Sequence, residues 1–172
     1  MIARAAPSTR SPRRPFQHQR SPKLRAVPKV AASLTPRITH VAFHVRDLKA
    51  SKEFYEEFCG VKVYREGGMP GKETLWLSEP GLEGQFVYVM FAGSKVEPQA
   101  NGDFSHVGLA VDSKEAVDAV AKKAESRGIL AFGPKEMPYP VGYVCMINDP
   151  DGRLVEFSYG QPLSGRSEGL LV

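Results

Sequence analysis

Two segments of this chain repeat each other, and the repeat constrains the fold more than any other feature of the sequence. ITHVAFHV at 38–45 and FSHVGLAV at 104–111 are short runs in which larger apolar residues alternate with other residues. His40 and His106 occupy the same position in the two runs. Each run is followed by the pattern of an amphipathic helix and then by three strand-like runs. The sequence therefore predicts a βαβββ unit that occurs twice, and one such unit could hardly bury a stable core alone.

Both predicted helices have recognisable ends. Asp47 is expected to cap the first helix, and Gly60 is expected to end it. The second helix is expected to begin at Asp112, which has capping-box spacing to Glu115, and to end at Gly128. The strands that follow are predicted at VKVYRE (61–66), ETLWLS (73–78), GQFVYVMFA (84–92), ILAFG (129–133), GYVCMIN (142–148) and RLVEFSY (153–159).

Alternation along the predicted strands assigns each side chain to one face of a sheet. The larger apolar residues share the face that we expect the helices to cover: Val41, Phe43, Val45, Val107, Leu109 and Val111. His40 and His106 lie on the opposite face, beside Ala and Gly residues that leave room around the imidazoles. Glu156 lies opposite Val155 and Phe157 in the last strand. A carboxylate buried there needs a partner, such as a metal ion.

Basic charge is concentrated at the N-terminus. Residues 1–37 contain seven Arg, two Lys and no acidic residue, so they carry a formal charge of +9, whereas the rest of the chain carries −5. The acidic body of the chain argues against a nucleic-acid partner. No apolar stretch reaches the roughly 18 residues that a membrane helix needs, so we expect no membrane span. The chain of 172 residues fits one compact domain.

The N-terminal segment 1–37 is predicted to be disordered, because proline is frequent and large apolar residues are few. Its Arg and Ser content without acidic residues is typical of an organellar transit peptide. The prolines favour a chloroplast destination, with the mitochondrion as the alternative, and a basic linker or nucleic-acid arm is the other interpretation. Cys59 and Cys145 lack metal-ligand spacing and are expected to be free thiols.

Three segments resemble the vicinal-oxygen-chelate superfamily: ITHVAFHVRDLKASKEFYEEFCGVKV, FSHVGLAVDS and NDPDGRLVEFSYG. This superfamily contains glyoxalase I, bleomycin-resistance proteins, methylmalonyl-CoA epimerase, fosfomycin-resistance proteins and extradiol dioxygenases. The resemblance implies an α+β fold in which two βαβββ modules form a curved mixed sheet around a cleft for a metal ion and a ligand. It divides the chain into the segment 1–37, a glyoxalase-like domain at 38–160 and a C-terminal tail at 161–172.

The resemblance also implies a site. It assigns His40, His106 and Glu156 as ligands of a divalent ion such as Zn²⁺, Ni²⁺, Mn²⁺ or Fe²⁺, and Glu156 is also the candidate catalytic residue. Two imidazoles and one carboxylate suit such an ion and leave positions open for a substrate. The candidate pocket residues are His44, Trp76, Tyr88, Met90 and Met146.

The first module departs from the glyoxalase I pattern. Glyoxalase I takes a fourth ligand, Glu or Gln, from the last strand of that module. Tyr88 or Met90 is the expected counterpart here, and neither replaces a carboxylate; Gln85 is a weaker candidate on the other face. We therefore expect little glyoxalase I activity from this chain.

The function that the resemblance favours is a glyoxalase-like metal-dependent lyase or isomerase that acts on a small metal-chelating oxo substrate. A metal-dependent dioxygenase of the extradiol type is one alternative. A non-catalytic small-molecule binding protein of the bleomycin-resistance type is the other. A homodimer is compatible with each of these functions, since the modules of such proteins pair within one chain or between two.

Overall fold

Eight strands and two helices follow one another in the predicted order within the part of the chain that the structure describes, residues 38–83, 85–93, 96–97 and 99–162. The structure is a computed structural model. The elements are β1 (His40–Val45), α1 (Leu48–Phe58), β2 (Lys62–Met69), β3 (Lys72–Ser78), β4 (Val87–Ala92), β5 (His106–Ala110), α2 (Lys114–Glu125), β6 (Leu130–Met137), β7 (Gly142–Asn148) and β8 (Leu154–Tyr159). The predicted transit segment and residues 163–172 of the predicted tail lie outside the described residues.

Each βαβββ module forms its own four-stranded mixed sheet. The first sheet has the strand order β1-β4-β3-β2, and the second has the matching order β5-β8-β7-β6. In each sheet the first strand runs parallel to the last strand of its module, and the other neighbours are antiparallel. The predicted α+β fold with two βαβββ modules is therefore confirmed.

The helix ends agree with the sequence except at one cap. The Asp47 carboxylate accepts hydrogen bonds from the backbone N–H groups of Lys49 and Ala50, at 2.8 and 3.1 Å. The prediction that Asp112 caps α2 is wrong, because Ser113 is the N-cap and its hydroxyl accepts from the Ala116 N–H at 3.2 Å. Both helices are followed by a glycine with a left-handed backbone, as predicted.

Strand β6 continues past the predicted end at Gly133. The next residue, Pro134, cannot donate a ladder hydrogen bond. The strand tolerates this proline because β6 is at the edge of its sheet and its pairing with β7 shifts register between Phe132 and Lys135.

One hydrophobic core joins the two modules. It contains Tyr55 and Phe58 from α1 together with Ile147 and Phe157 from the second sheet. None of the described helices has the length and apolar character to cross a membrane.

The turn before β8 is anchored to the first module. The buried Asp149 carboxylate accepts hydrogen bonds from the Tyr55 hydroxyl at 3.1 Å and from the Arg153 guanidinium at 2.8 Å. The buried Asp151 carboxylate lies 2.7 Å from the Arg46 guanidinium. These contacts fix the start of the strand that carries Glu156.

Candidate metal centre

Glu156 and His106 lie side by side on neighbouring parallel strands. His106 begins β5, and Glu156 is in β8 opposite Gly108. The Nε2 atom of His106 lies 3.6 Å from Oε2 of Glu156, and Glu156 is only 4% exposed. Gly108 is a neighbour of both His106 and Glu156, and it has no side chain that would fill the space between them. The structure thus brings together two of the three predicted ligands.

The protonation of His106 follows from its hydrogen bond. Its Nδ1 atom lies 2.6 Å from the backbone oxygen of Phe104, which can only accept a hydrogen bond, so Nδ1 carries the proton. In the neutral ring Nε2 then presents a lone pair toward the carboxylate. A histidine that ligates a metal is usually oriented by such a bond to a backbone carbonyl.

This local arrangement fits a metal ion. The lone pair of His106 and the carboxylate of Glu156 are both electron-pair donors, and a cation between them satisfies both. Two atoms that each lie about 2.1 Å from one ion are roughly 3.0–3.4 Å apart. The observed 3.6 Å is close to that range.

His40 does not join this pair within one chain. It lies on β1 of the first sheet, is exposed, and its Nδ1 atom is 2.9 Å from the Thr39 hydroxyl oxygen. Among the described residues, no group of three or more His, Cys, Asp and Glu side chains is placed to hold a metal ion.

The open face of the first sheet carries two of the predicted pocket residues. His44 shares the face of His40, and its ring centroid is 5.5 Å from that of Phe91. Trp76 pairs with Val89 on the same face, and the Arg65 guanidinium lies 5.2 Å from its ring. The face that carries His40 is therefore partly aromatic.

The internal repeat identifies the counterpart of Glu156 in the first module. Gly108 pairs with Glu156 in the second sheet, and the equivalent Ala42 pairs with Val89 in the first. The expectation that Tyr88 or Met90 takes this position is wrong, because the register puts Val89 there. A valine is no metal ligand, so this module supplies no carboxylate at that point.

The remaining predicted pocket residues are divided between the two sheets. Met146 is paired with Glu156 on β7 and is half-buried beside it. Met90 is fully buried in the core, on the face opposite His40, because it pairs with Phe43. Tyr88 shares this core face, where its ring lies 6.1 Å from that of Tyr55, yet it also borders the cavity in front of Glu156.

A cavity of about 890 Å³ opens in front of the pair. Both modules line this cavity. The first module contributes Cys59, Glu79, Leu82 and Tyr88, and the second contributes His106, Gly108, Ala110, Val141, Glu156, Ser158 and Gln161.

Two side chains that line the cavity have raised pKa values. Burial, and to a lesser degree the nearby Cys59 and Glu79, raises the pKa of Tyr88 to about 12. Burial and the nearby Asp149 raise the pKa of the Cys59 thiol to about 12 as well. Both groups are protonated at neutral pH and act as donors rather than bases.

One contact of this site was missed from the sequence. The Gln161 side-chain amide donates a hydrogen bond to Oε1 of Glu156 at 2.8 Å. Gln161 falls in the segment that the sequence assigned to the tail. The signal that could have found it is Gly160, whose left-handed backbone turns the chain directly after β8.

Comparison with known proteins agrees with this fold. The family model of the Glyoxalase/Bleomycin resistance protein/Dioxygenase superfamily matches residues 37–157, and the chain belongs to this superfamily. An uncharacterized protein of Pseudomonas aeruginosa is 46% identical over 139 residues, which are 81% of this chain and 99% of that protein.

Two further matches are more distant. A probable lactoylglutathione lyase of Vibrio parahaemolyticus is 27% identical over 136 residues, which are 77% of this chain and 97% of that protein. The crystal structure of a mutant fosfomycin resistance protein of Listeria monocytogenes, in complex with Mn(II) and a dihydroxypropylphosphonic acid, superimposes with a TM-score of 0.61. The alignment covers 75% of this chain and 95% of that one at 14% identity, so it supports the fold alone.

Proposed function

We propose that this protein is a glyoxalase-like metal-dependent lyase or isomerase that acts on a small substrate with metal-chelating oxygen atoms. The observation that carries the proposal is the His106 and Glu156 pair, whose two electron-pair donors face each other at 3.6 Å beside a large cavity. The name of the Vibrio relative, a probable lactoylglutathione lyase, supports the same class of chemistry.

We assign the third ligand, His40, to a second copy of the chain. His40 is exposed on the open face of its sheet, where the neighbouring Ala42 leaves space. The open face of the second sheet has equally small residues, Gly108 and Ala110, beside its ligand pair. In a homodimer with these faces opposed, each of two equivalent sites would receive His40 from one copy and His106 with Glu156 from the other.

The chain's own residues would orient the substrate and move its proton. A divalent ion held here would polarise a substrate carbonyl. The protonated Tyr88 hydroxyl, at the edge of the cavity, donates a hydrogen bond to a substrate oxygen. Glu156 is the carboxylate that we assign to proton transfer, because Val89 replaces a second carboxylate in the first module.

A second candidate function is an iron-dependent dioxygenase. Two histidines and one carboxylate with open positions form the donor set of many non-haem iron oxygenases. The valine at position 89 favours this alternative over glyoxalase I chemistry, because three protein ligands leave more of the ion accessible.

Subunit mixing tests the shared site. His40→Ala and Glu156→Ala chains are expected to bind little metal separately. In a mixed dimer, one site receives His40 from the Glu156→Ala chain and His106 with Glu156 from the His40→Ala chain, so it has all three ligands. The other site lacks both His40 and Glu156. Random mixing should thus restore about one quarter of the wild-type metal content. Absence of any recovery, with wild-type protein that binds metal, would contradict a site shared between His40 of one copy and Glu156 of the other.

The reaction class is decided with the metal-loaded wild-type protein. Turnover of the hemithioacetal of methylglyoxal and glutathione, or of a related oxo substrate, supports a lyase or isomerase. Oxygen uptake with a catechol in the Fe²⁺-loaded protein supports the dioxygenase. Metal-free protein that binds small ligands without turnover indicates the non-catalytic binding function.

We also propose that residues 1–37 direct the protein to the chloroplast. Their charge and composition carry this proposal. A fluorescent reporter fused behind these residues should enter plastids, and a mitochondrial or cytosolic signal would contradict the assignment.

A further inference from the structure

The two oxygens of the Glu156 carboxylate have different neighbours. Its Oε2 atom faces His106 Nε2 at 3.6 Å, and its Oε1 atom accepts the hydrogen bond from the Gln161 amide at 2.8 Å. The side chain of Glu156 is only 6% exposed. Gln161 therefore fixes the rotation of the carboxylate that presents Oε2 to His106.

The backbone explains how Gln161 reaches this position. Gly160 has φ +87° and reverses the chain immediately after β8. Gly142, at the start of the neighbouring strand, packs against this segment so closely that a Cβ atom there would lie 2.3 Å from the Tyr159 oxygen and 3.3 Å from the Gln161 nitrogen. The segment that carries Gln161 is thus part of the folded site rather than a loose end.

An amide suits this position for electrostatic reasons. It donates a hydrogen bond to the carboxylate, and hydrogen bonds to charged acceptors are stronger than those between neutral groups. Because the amide is neutral, the charge on Glu156 stays available to a cation. A lysine there would compete with the metal ion for the carboxylate.

We propose that Gln161 is a positioning residue that orients Glu156 for metal binding. This inference rests on the proposed metal centre. Loss of such a supporting hydrogen bond typically weakens metal affinity by ~10–100-fold. Gln161→Met keeps the length of the side chain and removes its N–H donor to Glu156.

The test is a Co²⁺ titration of the full chain that is monitored by visible absorption. Pro162→Ala is the control, because Pro162 is exposed in the same segment. Gln161→Met should bind Co²⁺ about 10–100-fold more weakly, with the same number of ions at saturation and an altered absorption band. Pro162→Ala should match the wild type. A merely structural role of Gln161 would lower the unfolding midpoint of the metal-free protein and leave the affinity and spectrum of the folded protein unchanged.

The outcomes separate the two proposals. Tight binding in both the wild type and Gln161→Met, with identical spectra, overturns the positioning role and leaves the metal centre intact. Failure of the wild type to bind Co²⁺, with no difference from His106→Ala, overturns the metal centre and the positioning role with it.

Discussion

Val89→Glu should convert the proposed three-ligand site into a four-ligand site. The register pairs Ala42 with Val89 as it pairs Gly108 with Glu156, so a glutamate at position 89 would occupy the position in the first sheet that Glu156 occupies in the second. Its carboxylate would lie on the face of His40, in a position that is 5% exposed in the native chain.

The magnitude follows from burial. An unpaired carboxylate at a buried position should lower the free energy of unfolding of the metal-free variant by about 3 kcal/mol. A metal ion that pairs with this carboxylate recovers that free energy on binding. A recovery of about 3 kcal/mol corresponds to a roughly 100-fold gain in metal affinity. The variant should therefore unfold at a clearly lower temperature than the wild type without metal and gain more from saturating metal.

Calorimetric unfolding with and without Zn²⁺ measures both effects. Met90→Glu is the matched control, since Met90 is fully buried next along the same strand but on the core face. It should destabilise at least as much, with no recovery by metal. The reasoning would be refuted if Met90→Glu rather than Val89→Glu gained metal affinity. A positioned base contributes ~10²–10⁴-fold, so Val89→Glu should also turn over the hemithioacetal faster than native protein, for which we expect little or no turnover.

Three further predictions concern the ligands and the stability of the domain. His106→Ala should lose most of the bound metal in elemental analysis, whereas His44→Ala should keep it; equal metal content in both would contradict the ligand assignment. Tyr55→Phe removes the 3.1 Å hydrogen bond to Asp149 and should lower the free energy of unfolding in urea by about 1–2 kcal/mol, and an unchanged midpoint would mean that this bond does not stabilise the junction of the modules. Arg127 and, to a lesser degree, Lys123 hold the pKa of the exposed Glu57 carboxyl below its usual range, so these ion pairs stabilise the folded protein at neutral pH and stop doing so as pH falls through the lowered pKa. The difference in unfolding midpoint between wild type and Glu57→Gln should therefore shrink from pH 7 to pH 3. A constant difference would contradict the ion pairs.

The position of the ligand pair could be predicted from the sequence because its strands alternate. In FSHVGLAV and RLVEFSY the apolar residues at every second position identify the core face and leave His106 and Glu156 on the other. The repeat of the two segments gave the module order by the same reasoning. Both patterns lie within short continuous segments and need no knowledge of which strands pair.

The fourth-ligand position could not be predicted in the same way. The run GQFVYVMFA is apolar at nearly every position, and residues 87–90 are all buried whichever face of β4 they occupy, so its parity is ambiguous. Only the pairing of Ala42 with Val89 resolves it. The role of Gln161 was equally hidden, since a turn at Gly160 brings it back to Glu156 and no periodic pattern extends to that residue.

The unequal modules also predict how many ions the protein binds. The first sheet offers His40 without a carboxylate, and the second offers His106 with Glu156. A dimer that opposes unlike faces gives each site two histidines and one carboxylate, and therefore one ion per chain. A dimer that opposes two second sheets would instead combine two His106 and two Glu156 side chains in one site, which is one ion per two chains.

The ratio of metal to chain in the purified protein therefore reports which faces meet in the proposed dimer. We expect a ratio near one, and we expect His40→Ala to reduce it strongly. A ratio near one half that is insensitive to His40→Ala would show that the second sheets face each other and that His40 lies outside the metal centre. The same measurement with Glu156→Ala should abolish binding under either arrangement, since both depend on that carboxylate.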